Sequence, residues 1–298
     1  MKTLEQKQRS LGVIFVLPAF LFHLFLVTIP ATSLIYYSMT DWNGFNVPEF
    51  VGINNFIRAF FNDSNYKDAL RNNLVWILFF LTIPVVIGLL IALMLIRMKR
   101  SQMPFRSLFF MPYVIAPVVV GAVFSYFYSP YIGLSSIFKM LGIESLKNFA
   151  PLGSENQALF AVAFADHWHW WGFVMTLFLS ALHQVNTDLY EAADIEGANT
   201  FQKFLSITFP SIIPTVVTLY MFIIIASFLT FDYVYVMTKG GPAGATEISA
   251  TWIFKRTFVA NEAGYGSALS LIVCGICIIV YFGFQFLQSF LNKKEIEI

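Results

Sequence analysis

The stretch 188–196 crowds four carboxylates, Asp188, Glu191, Asp194 and Glu196, into a polar segment bounded on both sides by apolar runs. On a short helix such a concentration of negative charge suits arginines on a partner; the plainer alternative is a solvated loop that its charges keep wet. A second set lies in FLTFDYVYVM (228–237), where Asp232 stands among Phe228, Phe231, Tyr233 and Tyr235. Aromatic faces stack on the apolar faces of sugar rings while a carboxylate accepts from hydroxyls, so this set suits a sugar path. Its alternative is an interfacial aspartate inside an aromatic belt. The third set, DHWHWW at 166–171, offers His167 and His169 to a metal. Residues two apart on a helix point away from each other, which makes them poor co-ligands. Trp168, Trp170 and Trp171 read instead as interfacial anchors near an outer boundary, with Asp166 a weaker path candidate. Cys274 and Cys277 share one apolar run and read as small hydrophobes, so no metal site is expected.

The elements that must position these groups are set by composition. Of 298 residues, 58% are hydrophobic and only 12% charged, with mean hydropathy +0.71. A soluble domain carries about a quarter charged residues, so this chain has too few to coat a water-facing surface. It belongs in a bilayer. The net charge of +1 excludes a strongly basic nucleic-acid binder. A membrane helix needs about 20 mostly apolar residues, and six stretches qualify: about 11–37, 73–96, 107–128, 159–182, 212–236 and 267–290. The expected fold is therefore an all-α integral membrane protein of about six transmembrane helices.

With the N-terminus inside, the inner pieces are 1–10, 97–106, 183–211 and 291–298. They carry Lys2, Lys7, Arg9, Arg97, Lys99, Arg100, Arg106, Lys203, Lys293 and Lys294, denser in positive charge than the long outer loops. Both termini and the acidic segment are then cytoplasmic. Residues 1–69 read as a tail, a first span and an outer loop, 70–291 as the main membrane body, and 292–298 as a cytoplasmic tail.

The acidic segment reads as an elbow of two short helices. Asp188 with Glu191 has capping-box spacing, with Thr187 as an alternative cap, and Gly197 can take the left-handed conformation that ends a helix. Asn199 with Gln202 repeats the capping spacing and opens a second helix toward Ile207; Pro210 and Pro214 suit the start of the next span.

This segment, EAADIEGANTFQKFLSITFP (191–210), resembles the EAA signature of permease subunits of binding-protein-dependent ABC importers: E-A-A, three residues, G, nine residues, then I-x-L-P. Glu191, Ala192, Ala193, Gly197, Ile207 and Pro210 fall at that spacing, and Phe209 replaces the usual leucine. FFMPYVIAPVVVGAVF (109–124), LHQVNTDLYEAADIEGA (182–198), FDYVYVMTKGGP (231–242) and GYGSALSL (264–271) are similar to the carbohydrate branch, of the maltose/glycerol-phosphate type.

The resemblance implies a MetI-like permease fold, a five-span core plus an N-terminal span, with 187–210 as a coupling segment seated on a cytoplasmic ATPase. Glu191 would meet a basic group, Ala192 and Ala193 allow close fit, Gly197 supplies the turn, and Asp194 adds charge. Closure of two ATPase subunits around ATP would carry the elbow inward and switch access to a mid-membrane cavity. No phosphate-binding Gly-rich loop ending in Lys-Ser/Thr is present, so ATP and Mg are expected on the partner ATPase and no cofactor on this chain. One elbow per chain implies a second permease subunit in a heterodimer, with a solute-binding protein outside. The expected function is carbohydrate import, with glycerol phosphate or another polar solute as the alternative. An ion-coupled secondary transporter would want central ionisable pairs, and an intramembrane hydrolase a nucleophile and base at matching depth; both leave the elbow unexplained.

Overall fold

The structure is a computed structural model that describes residues 15–98 and 100–296, with side chains through residue 289. Lys2, Lys7, Arg9, Lys99, the start of the first expected span and the side chains of Lys293 and Lys294 lie outside the described residues. Helices dominate, and no β-strand occurs among the described residues beyond an isolated bridge between Thr40 and Phe50. The longer helices are α1 (Phe15–Ser38), α2 (Ser64–Leu95), α3 (Gln102–Val114), α4 (Pro117–Phe127), α5 (Ala158–His183), α6 (Thr187–Ile195), α7 (Phe209–Leu229) and α8 (Ala263–Ile296).

Two compact units are present, residues 1–63 with 253–274, and 64–252 with 275–298. In the first, the segments 39–63 and 256–265 are joined by polar contacts. Arg58 pairs with Glu262 at 3.0 Å and lies 4.0 Å over the Tyr265 ring, whose hydroxyl donates to Asp63 at 2.7 Å. Asn55 donates from Nδ2 to the carbonyls of Ser38 and Thr40. The basic residues Arg58 and Arg256, from these two segments, are thus partly neutralised by one glutamate, Glu262.

The second unit is built around α5, which α2, α3, α4 and α7 all touch. Lipid tails are as apolar as leucine, so hydrophobicity does not press helices together inside a bilayer; close packing and buried hydrogen bonds must do so. Both devices occur here. A Cβ on Gly172 of α5 would lie 2.2 Å from the Phe109 carbonyl oxygen, so only glycine lets α3 cross α5 at this distance. Asn73 of α2, fully buried, donates to the Ser227 carbonyl at 2.9 Å and accepts from the Ser249 amide and hydroxyl at 2.8 and 2.6 Å. One side chain thereby ties α2, α7 and the segment after it.

Among the described residues four helices are long and apolar enough to cross a membrane: Phe15–Ser38, Ser64–Leu95, Thr200–Met237 and Ala263–Ser289. The bent pair α3–α4 makes a fifth if taken as one span. Two sequence expectations change. The stretch 107–128 is broken by 90° between Val114 and Pro117, where Pro117 cannot donate an amide hydrogen into a continuing helix. The stretch 159–182 is helical, as α5, but DHWHWW dilutes its apolarity and its neighbours bury most of it. Pro210 occupies the first turn of α7 as expected, whereas Pro214 lies inside that helix. A π-helical turn, Phe204–Thr208, precedes Pro210, and another, Leu24–Thr28, precedes Pro30; in both a widened turn makes room for a proline ring.

Candidate functional site

The elbow is exposed and built locally. The cap of α6 is neither Asp188 nor Thr187 but Asn186, whose Oδ1 accepts from the Asp188 amide at 3.0 Å. Three successive residues, Asn-Thr-Asp, are all good cap formers, and the first of them takes the role. At the other end Gly197 adopts φ +77°, with the Ala198 amide donating to Ala193 and the Gly197 amide to Asp194, a Schellman closure. Nothing lies within 4 Å of where a Cβ at Gly197 would stand, so the demand for glycine there is conformational. Asn199 and Gln202 form the expected capping box: Asn199 Oδ1 accepts from the Phe201 and Gln202 amides, and Gln202 Oε1 from the Asn199 amide.

Side-chain contacts tie the two halves of the elbow to each other. The hydroxyls of Tyr190 and Thr208 share a 2.8 Å hydrogen bond, with Thr208 buried. Asp194, expected to be offered outward, instead pairs with Lys203 across the turn. Ala192, Ala193, Gly197 and Ile207 line one surface groove of about 490 Å³. Glu191 and Pro210 are exposed and lie outside its lining. The groove is floored by small side chains, and Ile195 next to it is 89% exposed.

The second candidate region lies deeper in the same unit. α7 ends at Leu229, Thr230 and Phe231 leave helical geometry, and Asp232 opens the short helix Asp232–Met237, so Asp232 stands at a break and not within a continuous helix. Phe231 and Tyr235 stack with centroids 4.9 Å apart, while Phe228 and Tyr233 are buried. The five residues expected to form the path therefore divide between a partly exposed set, Phe231, Asp232 and Tyr235, and a buried one. Asp232 and Tyr233 are within electrostatic reach of Asp166, the lesser candidate, which proves the more enclosed carboxylate.

Asp166 is 2% exposed, and its Oδ1 has no hydrogen-bond partner. It faces a crevice lined by Trp76, Phe80, Trp170, Ser227 and Thr230. Trp76 stacks on Phe80, and Phe80 meets Trp170 edge to face. The crevice holds only about 10 Å³, room for about one water and no sugar ring, so it is closed in this conformation. Trp76, Phe80 and Ser227 were invisible as candidates because they lie far from Asp166 in sequence; a clue was the spacing of Trp76 and Phe80 on one helix face.

The DHWHWW run occupies the middle of α5, not an outer boundary. Trp170 packs against Phe173 and Phe222, Trp168 against Phe124, and Trp171 against His167. The belt rule applies to lipid-facing helix ends, and here other helices supply the surroundings. His167 and His169 diverge as expected: His169 Nε2 lies 3.0 Å from the Ile115 carbonyl at the α3–α4 break, while His167 sits among Phe79, Phe164 and Trp171.

The family model of the binding-protein-dependent transport system inner membrane component matches residues 84–293. The chain belongs to this family. The chain is 31% identical to the probable ABC transporter permease protein YurN of Bacillus subtilis (strain 168), over 90% of this chain and 92% of that one. It is 33% identical to the diacetylchitobiose uptake system permease protein NgcF of Streptomyces coelicolor, over 85% of this chain and 75% of that one. Its fold matches a chain of the bacterial alginate ABC transporter solved with alginate pentasaccharide-bound periplasmic protein, with TM-score 0.84, 19% identity and 96% coverage of both chains. The chain is thus an integral membrane transport permease and not an enzyme.

Proposed function

We propose that this permease carries a carbohydrate across the cytoplasmic membrane, with both termini and the elbow 187–210 on the inside. The elbow receives a cytoplasmic ATPase: Ala192, Ala193, Gly197 and Ile207 admit a close-fitting partner, and Glu191 meets a basic group on it. ATP and Mg are used there, and this chain binds no cofactor. A second, different permease and a second ATPase complete the assembly, and an outer solute-binding protein delivers the cargo. The observation that carries this reading is the small-residue groove of about 490 Å³ beside the exposed acidic helix, which no part of the described chain fills.

Within the body, Asp166 with Trp76, Phe80 and Trp170 forms the inner part of the path, and Asp232 with Phe231 and Tyr235 an outer part. A buried carboxyl group beside aromatic faces suits a hydroxyl-rich cargo, whose hydroxyls it can hydrogen-bond and whose apolar ring faces the tryptophans can stack on. Because the crevice is closed, elbow movement must separate α2, α5 and α7 before a sugar enters. Co-purification with an ATPase, and uptake that persists with proton and sodium ionophores but stops when ATP is depleted, are the expected results. Uptake lost to an ionophore at constant ATP overturns the reading.

A further inference from the structure

Behind the elbow, on the side of α6 away from the small-residue groove, lies a larger cavity of about 800 Å³. Thr187 and Tyr190 of α6 face it, whereas Leu189, Ala192 and Ala193 face the groove. Its walls are of two kinds. Leu93 and Ile96 from the end of α2, Leu182 from the end of α5, and Phe201 are apolar. Arg97, Lys203 and the hydrogen-bonded hydroxyls of Tyr190 and Thr208 are polar. Lys203 is engaged by Asp194, but no carboxylate lies within ion-pair distance of Arg97 among the described residues.

The approach to this cavity has a pattern of its own. Val86, Leu90 and Met94 are 55%, 55% and 63% exposed on α2, at spacings of four, and the exposed Arg97 follows in the turn just after the helix ends at Leu95. An exposed apolar stripe thus runs along the span and ends at an unpaired guanidinium. A fatty acyl chain laid on that stripe would bring its headgroup to Arg97 and the cavity mouth. Basic pockets between the cytoplasmic ends of membrane helices recognise anionic lipid headgroups in this way, and a guanidinium binds phosphate oxygens in pairs.

We propose that this cavity is a binding site for the headgroup of an anionic phospholipid, held by Arg97 with Lys203 in support, its acyl chains along Val86, Leu90 and Met94. The bound lipid braces the face of α6 opposite the ATPase groove and so ties the elbow to the membrane surface. The proposal rests on the inward placement of the elbow.

The test uses the complete transporter reconstituted in membranes with traces of a photoactivatable phosphatidylglycerol or, separately, phosphatidylcholine carrying its reactive group near the headgroup. The phosphatidylglycerol probe should mark peptides of 182–190 and 200–208 about fivefold more than the phosphatidylcholine probe, the margin expected of one basic residue near an anionic headgroup. Arg97→Gln should erase the margin, Arg97→Lys should keep part of it, and Arg106→Gln, on an exposed residue outside the lining, should leave it intact. Equal marking by both probes, or a margin that survives Arg97→Gln, overturns the site. So does protection by millimolar inorganic phosphate, which marks a soluble anion, or marking that emerges only once the ATPase is stripped, which marks a protein occupant. A cysteine at 194 labelled by reagents added outside intact cells would instead remove the inward placement, a failure distinct from headgroup-blind marking with position 194 inward.

Discussion

The elbow at 187–210 and the crevice around Asp166 differ first in how they are assembled. The elbow takes its shape from neighbours in sequence: Asn186 caps α6, Gly197 closes it, and Asn199 with Gln202 opens the next turn. The crevice takes its shape from residues between 76 and 230, gathered by three helices that pack on one another. The elbow is exposed and leaves its small residues uncovered, whereas the crevice is shut tightly enough to leave Asp166 Oδ1 without a partner. A surface meant for a partner can be specified by a short motif. A crevice walled by three helices cannot, because its residues meet only once those helices have packed.

The largest effect should come from filling the groove. Ala192→Arg places a long cation where a close approach is needed, and uptake should vanish while the chain still inserts and purifies with its partner permease. The position is exposed in the free chain, so the substitution itself should not unfold it. Normal transport by Ala192→Arg would remove the docking role and, with it, the contrast between the two regions.

Next in size is Asp166→Asn, which keeps the shape of the side chain and replaces one carboxyl oxygen by an amide. A buried polar group left without its partner costs about 1–3 kcal/mol, so uptake should fall about five- to hundredfold, with ATPase association unchanged. Asp232→Asn, at the less enclosed helix break, should do less. If the two rank the other way, the aromatic set at 231–235 is the inner part of the path and the crevice only packing.

Sequence reading captured the elbow almost whole because caps and left-handed glycines are local signals. It missed by two residues only where Asn186, Thr187 and Asp188 compete for one role. Six apolar stretches were legible, yet the 90° break at 115–116 was not, since Pro117 also suits an ordinary helix start. The tryptophans of α5 read as boundary anchors in the sequence because sequence does not show that α2, α3, α4 and α7 surround that helix. Asn73 illustrates the same blindness: nothing near it in sequence reveals Ser227 and Ser249 as its partners. Asn73→Ala should lower the stability of the purified complex by about 1–3 kcal/mol, seen in thermal unfolding, because it strands buried polar groups. Asn73→Asp, with an acceptor but no amide to donate to Ser227, should not restore it.

The smallest effect belongs to the elbow's own ion pair. Asp194 and Lys203 join across the turn, but the Asp194 side chain is 64% exposed, and exposed pairs contribute at most about 1 kcal/mol. Asp194→Asn should therefore change thermal stability barely at all and reduce uptake by less than about fivefold, with Lys203→Gln behaving alike. If both substitutions act equally, and together no worse than singly, the pair is an internal brace. A loss of uptake from Asp194→Asn far beyond that from Lys203→Gln would instead mean that Asp194 leaves Lys203 when the ATPase binds and turns its carboxylate to the partner, making the ion pair a resting contact exchanged in every transport cycle.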